Sequence, residues 1–225
     1  MLATGKSRRL TLEDLVITGM RGNAIRLVRG NGVDIGRCIV TGAGNHAIMA
    51  IRTANVRITD CTIYANDYSG IRLDRATAEV SFATLYANGT AGLRTHRTAL
   101  TLRDSLVTDN GGAGLSVSGD APVDVTYTYF FGNTKNLNPP EVPIGIGTSL
   151  GQDPMYVDTD GPDDVLGGTG WRDDDLSLRQ VRGGQNETSP AVDAGSASVE
   201  ALGVTGSTAS NGVPDIGQVD LGAHQ

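Results

Sequence analysis

Seven arginines recur at a steady beat through the first half of this chain, with one aspartate and one histidine among them. Arg26, Arg72 and Arg94 hold the same place in successive copies of one short pattern, and Arg29, Arg52, Arg75 and Arg97 hold another. Guanidinium forks grip carboxylates and related oxyanions in bidentate fashion. A row of them therefore reads as a substrate-binding face for an acidic polysaccharide, a uronic-acid or sulfated glycan. Asp74 and His96 share a third place in two consecutive copies. An Asp that orients a His between two arginines is a constellation for proton abstraction. Arg72 and Arg94 would neutralise a substrate carboxylate, and His96 would take the proton α to it. Like charges ~5 Å apart repel by roughly 0.8 kcal/mol even in water. The row thus calls for counter-charge, from a bound polyanion, from solvent and salt, from Asp74, or from the acidic tail of the same chain.

Other residues invite lesser readings. Asp158, Asp160, Asp163 and Asp164 surround Gly161 in an acidic loop. Aspartates alternating about a turn are how calcium loops gather hard oxygen ligands, so Ca²⁺ is a candidate cofactor, although the EF-hand order and its closing Glu are missing. A solvated acidic loop is the alternative. Tyr64 and Tyr86 stand at equivalent positions and would either stack a sugar ring or support each other across strands. His46 and His224 stand alone. Neither lysine, Lys6 or Lys135, belongs to the arginine row.

The elements that must position these residues are written in the period. Ile25, Ile48, Ile71, Leu93 and Leu115 anchor five copies of the pattern, 22 or 23 residues apart. A fixed period of this length marks a solenoid. Within each period three short runs alternate apolar and polar residues, as in Val56-Arg57-Ile58, Cys61-Thr62-Ile63-Tyr64 and Ile71-Arg72-Leu73. Alternation with a period of two is the signature of a strand buried on one face. Asn66, Asn88 and Asn110 recur at 22-residue spacing and are expected at corners that need left-handed backbone. No stretch carries helical periodicity. Three strands per coil of about 22 residues wind into a parallel β-helix, an all-β fold in which equivalent residues stack ~4.8 Å apart. Four inward columns follow, beginning Ile25/Ile48/Ile71, Leu27/Ala50/Leu73, Leu15/Cys38/Cys61 and Ile17/Val40/Ile63.

These repeats resemble the right-handed parallel β-helix of the pectate-lyase-like superfamily. The last third is similar to a tail common in secreted bacterial β-helix proteins. It reads Asp153-Pro154-Met155-Tyr156-Val157-Asp158, Ser189-Pro190-Ala191-Val192-Asp193-Ala194-Gly195, then Asp215-Ile216-Gly217 and Asp220-Leu221-Gly222. The resemblance implies the fold strongly and an activity weakly, because one solenoid hosts lyases, hydrolases, epimerases, adhesins and inert stalks. Sites of the lyase type gather calcium-binding carboxylates beside a basic residue, and only Asp74 lies on the arginine strip here. Hydrolases need two or three close carboxylates.

Composition agrees. Gly is 31 of 225 residues, as many tight corners require, and aromatic residues are only 4%. The net charge of −7 is uneven: residues 1–138 carry 15 basic and 11 acidic groups, residues 139–225 carry 3 and 14. That acidity, with no basic motif, argues against nucleic acid, and no apolar stretch is long enough to span a membrane. Cys38 and Cys61, one coil apart, are either stacked thiols or a disulfide. The chain divides into a polar, frayed lead-in (1–9), coils (10–157), the acidic loop (158–188) and a segment (189–225) expected to fold over the C-terminal end of the core. Residues Met1 to Leu10 lack the apolar core of a secretion signal, and the coils begin without a cap. The expectation is a piece of a longer secreted or cell-surface precursor, its first coil covered by the rest of that polypeptide or by a second copy. Two functions suit it: a non-catalytic structural, adhesin-like or glycan-binding module, or a polysaccharide lyase or epimerase acting on uronic-acid glycans.

Overall fold

The structure, a computed structural model, describes residues 2–4 and 9–224. In chain order the solenoid strands are β1 (Leu2–Thr4), β2 (Leu10–Glu13), β3 (Val16–Thr18), β4 (Ile25–Val28), β5 (Asn31–Gly36), β6 (Ile39–Thr41), β7 (Ile48–Ile51), β8 (Ala54–Tyr64), β9 (Ile71–Asp74), β10 (Thr77–Tyr86), β11 (Ala91–His96), β12 (Ala99–Thr108), β13 (Ala113–Ser118), β14 (Val123–Phe131), β15 (Lys135–Asn138) and β16 (Ser149–Leu150). All pair in parallel. One sheet runs β1-β4-β7-β9-β11-β13-β15, and the other runs from β2 to β16 through β5, β8, β10, β12 and β14. The parallel solenoid expected from the period is what the chain forms, with about six turns. Leu2–Thr4, assigned to the frayed lead-in, instead pairs with β4 and extends the first sheet by one strand.

Three corners turn each coil, and each corner is a column of left-handed residues. One column is Arg29, Arg52, Arg75, Arg97 and Gly119, with φ of 56°, 51°, 51°, 48° and 81°. A second is Asp14, Arg37, Asp60, Phe82, Asp104 and Tyr127, and it bends the long strands β8, β10, β12 and β14 in mid-course. The two runs read from sequence in that part of the coil are therefore one hydrogen-bonded strand with a kink. The third column is Gly19, Gly42, Ala65, Ala87, Asp109 and Gly132. Left-handed backbone costs a non-glycine residue roughly 1–2 kcal/mol. Stacking compensates: corner amides donate to the next coil, as Arg52 N does to Asp74 O at 2.8 Å and Arg75 N to His96 O at 2.8 Å.

The asparagines do something other than turn the corner. Asn66, Asn88 and Asn110 lack positive φ and follow the left-handed residue. They point inward and form a buried amide ladder. Asn66 Nδ2 donates to Asn88 Oδ1 at 2.9 Å, Asn88 Nδ2 to Asn110 Oδ1 at 3.0 Å, and Asn110 Nδ2 to Asn133 Oδ1 at 2.8 Å. A buried carboxamide is tolerated because it satisfies both its own groups and the corner backbone.

The aliphatic columns stack as expected, Ile25↔Ile48↔Ile71↔Leu93↔Leu115↔Leu137 among them. All six are buried. Each buried Leu or Ile contributes ~1.5–3 kcal/mol of transfer free energy, and stacking makes one continuous core from coils that could not bury it singly. Both cysteines are free and buried.

The end of the core is closed by residues following β15, not by 189–225. Val142 joins the main core cluster, and Gly145 N donates to Val125 O. The acidic tail lies along the flank. Its hairpin, β17 (Tyr156–Asp158) with β18 (Asp175–Leu178), and the closing segment pack on the second half of the long strands. Ser196 N and Oγ donate to the buried Asp104 at 2.7 and 2.9 Å, and Ala223 N to Thr84 Oγ1 at 3.1 Å. The tail motif is thus a set of staples: Asp193 N and Thr208 Oγ1 donate to Asp220, whose own N–H donates to Asp215. The one α-helix among the described residues, Val199–Leu202, is far too short to cross a membrane.

Candidate functional site

The arginine strip stands on the outer face of the first sheet. Register places Arg26, Met49, Arg72, Arg94 and Ser116 in one column, and Val28, Ile51, Asp74, His96 and Ser118 in the next. Arg29, Arg52, Arg75 and Arg97 follow at the corner, so all seven expected arginines share one strip. Among the described residues, Arg26, Arg29, Arg52, Arg72, Arg94 and Arg97 form no ion pair; Arg75 Nε alone approaches a carboxylate, 3.9 Å from Asp74 Oδ1. The flank-bound tail does not supply the missing counter-charge.

The contrast with the second sheet is informative. There the outward column runs Asp34, Arg57, Glu79, Thr101 and Asp124. Asp34, Arg57 and Glu79 alternate in sign, and arginines of this face pair with the carboxylates: Arg9–Asp34 at 2.5 Å, Arg57–Glu79 at 3.4 Å and Arg103–Glu79 at 3.2 Å. A groove of about 590 Å³ crosses this face and begins two or three residues beyond the corner arginines, at Asn55, Thr77 and Ala99.

Asp74 and His96 are stacked as expected but do not act on each other. The His96 ring takes Ser118 as its partner, with Nδ1 3.0 Å from Oγ. Ser118 Oγ spends its own proton on Thr95 O at 3.0 Å, so it accepts, and His96 carries its proton on Nδ1. The lone pair of Nε2 is left for another partner. Asp74 Oδ1 is buried without a hydrogen bond. Of its two neighbours in the column, the ring turns to Ser118 and not to Asp74.

Sequence reasoning passed over His46, which belongs to this face. It sits one corner before β7 and is only 4% exposed. Ser69 N donates to its Nδ1 at 3.2 Å, its Nε2 is 3.3 Å from Arg72 Nη1, and the Tyr68 ring packs against it edge-on at 5.7 Å. Burial first, then the charges of Arg72 and Arg94, push its pKa down to about 4. Extending the columns two residues back from the anchors, through Asn23, His46 and Ser69, would have brought it into view.

Tyr64 and Tyr86 are not on this face. Tyr64 is 2% exposed and its hydroxyl donates to Asp174 at 2.6 Å. Tyr86 packs edge-on against Tyr156 at 5.3 Å. Both lie under the tail, so neither offers a ring face to a sugar. In the acidic loop, Asp163 Oδ1 accepts from Val165 N at 2.8 Å and Asp160 O from Val165 N at 3.2 Å, turn bonds within the loop. Among the described residues no three His, Cys, Asp or Glu side chains converge in a metal-holding group.

Stacked parallel coils, three left-handed corners and an aliphatic core define a parallel β-solenoid. The chain belongs to the right-handed β-helix family: the family model described as a right handed beta helix region matches residues 2–138. No curated protein and no solved structure matches the chain.

Proposed function

We propose that this chain is a non-catalytic β-helix module of a larger secreted or cell-surface protein, adhesin-like, which holds an acidic polysaccharide along its arginine strip. The observation that carries this reading is the unpaired row. The same fold pairs arginines of the second sheet with carboxylates, and leaves six of the seven strip arginines without one among the described residues. Regularly stacked guanidiniums suit a polymer with regularly spaced anionic groups, each gripped in bidentate fashion. Exposed contacts of this kind are screened by salt. Immobilised polygalacturonate, alginate and chondroitin sulfate are therefore expected to retain the protein at about 0.05 M salt and release it at about 0.5 M, while a neutral glucan retains none. Replacing Arg72 and Arg94 together by Ser is expected to weaken retention at least about tenfold, the equivalent of ~1.4 kcal/mol. Equal retention of the double variant, or no retention by any acidic glycan, removes the proposal.

A lyase or epimerase is the second reading. It is favoured by the open lone pair of His96 Nε2 beside Arg72 and Arg94, the arrangement a base needs. Unsaturated product from a uronic-acid glycan, lost on His96→Ala, would establish it over the first.

A further inference from the structure

The strip holds one place where the donors converge rather than merely line up. The backbone N–H of Ser69 donates to His46 Nδ1 at 3.2 Å. An imidazole nitrogen that accepts carries no proton, so the neutral ring bears its proton on Nε2. That nitrogen lies 3.3 Å from Arg72 Nη1, and arginine only donates. The contact is therefore donor against donor. Neither N–H has an acceptor there among the described residues. His46 is 4% exposed, and leaving such a donor unsatisfied is costly. Arg94 follows Arg72 in the same column on the next strand and brings a second guanidinium without an ion pair. The ring of Tyr68, half exposed, forms a wall. The nearest strip carboxylate, Asp74, stands in the neighbouring column beside Arg75.

We infer that His46, Arg72 and Arg94 form a seat for a single oxyanion, a sugar carboxylate or sulfate ester, one of whose oxygens accepts from His46 Nε2–H and Arg72 Nη1–H together. This rests on the reading of the strip as a glycan-binding face and adds to it the point that fixes the polymer's register. Of the other arginines, Arg29, Arg52, Arg75 and Arg97 are exposed at the corner and Arg26 is half-buried. The seat is rigid, because the imidazole is packed between Tyr68 and the backbone of Ser69. Burial and the neighbouring positive charges keep the ring neutral, so it offers a hydrogen bond without adding a charge that Arg72 would repel. An oxyanion converts two opposed donors into two satisfied ones.

The test uses the full chain with ¹⁵N-labelled histidine. In the free protein, long-range ¹H–¹⁵N correlations are expected to show His46 protonated at Nε2 and bare at Nδ1. Galacturonate trimer and an equally short sulfated dextran oligomer are then titrated in separate arms. The arm that moves the Nε2 resonance and raises the His46 pKa toward its ordinary value identifies carboxylate or sulfate. His46→Phe keeps the ring but removes both the donor and the acceptor of the Ser69 N–H, and is expected to weaken oligomer binding about tenfold with unchanged circular dichroism and a lowered melting temperature. His46→Gln, which keeps an N–H donor, is expected to recover part of that loss. An Nδ1–H tautomer, no response to either saturating oligomer, or wild-type affinity in a folded His46→Phe protein would overturn the seat. Polymer retention that needs Arg94 while His46 stays silent sinks the seat and leaves the broader reading standing. A His46 response to the oligomers with no polymer retained does the reverse.

Discussion

Replacing Asn88 by Ala tests the device that locks one coil to the next. Its Nδ2 donates to Ile63 O at 3.1 Å and to Asn110 Oδ1 at 3.0 Å. Its Oδ1 accepts from Asn66 Nδ2 at 2.9 Å and from Asn66 N at 3.4 Å. The side chain is fully buried, so water cannot replace those partners. Not every loss counts in full. Asn66 Nδ2 keeps Tyr64 O at 2.9 Å, and Asn110 Oδ1 keeps the Asn88 backbone N–H at 3.0 Å. That leaves Ile63 O and Asn66 N as the groups most exposed to loss, at ~1–3 kcal/mol each. Adding the small cavity, the variant is expected to lose about 3 kcal/mol. For a chain of this size, that lowers the melting temperature by about 6–12 °C. Urea unfolding followed by circular dichroism measures it, with the exposed Asn211→Ala as reference. A loss below about 1 kcal/mol, the size of an ordinary surface change, would refute the ladder as a structural lock.

Two further outcomes follow from buried titratable groups. Burial raises the Asp60 carboxyl to about 6, against the pull of the His224 N–H and of Arg37. A folded pKa above the unfolded one means that stability is highest below about pH 4 and is lost as pH rises toward 6. Asp60→Asn keeps an acceptor for His224 N–H, so it is expected to stabilise the protein by up to about 3 kcal/mol at pH 7.5 and to lose that pH-dependent gain by pH 4. Equal effects at both pH values would refute the charge argument. Cys38 and Cys61 stack in the core with their thiols donating to backbone carbonyls, Gly36 O at 3.1 Å and Thr59 O at 3.3 Å. The interaction between the two thiols draws Cys38 down and pushes Cys61 up, and burial raises Cys61 further. Neither is expected to react with a thiol reagent in the folded protein, and both are expected to react in urea without reductant. Fewer than the two free thiols would show a disulfide instead.

The fold was legible because it is a repeat. Equal coil lengths and parallel pairing leave one register free, so the columns from Ile25 to Leu115 and from Arg26 to Ser116 are read by adding 22 or 23. The arginine strip came with them, since outward residues inherit the register of inward ones. Residues that act through a partner in the same column were less legible. Asp74 and His96 share a column, and the sequence alone makes them a pair; His96 turns instead to Ser118, its neighbour on the other side in the same column. Asn88 has the residue type of a corner, yet the left-handed place falls to Ala87, because the amide does more inside the core than at its edge.

The sequence by itself determined the solenoid, its core and the placing of seven arginines on one face, since all three follow from period and alternation. Only the tertiary structure decided what covers what. Tyr64 meets Asp174 across 110 residues, and the tail takes the flank rather than the arginine strip or the open end. His46 meets Arg72 of the next coil, a contact that the types of the two residues do not announce. Contacts within the repeat are set by counting, and contacts made by the unrepeated tail and the corner side chains are set by packing in three dimensions.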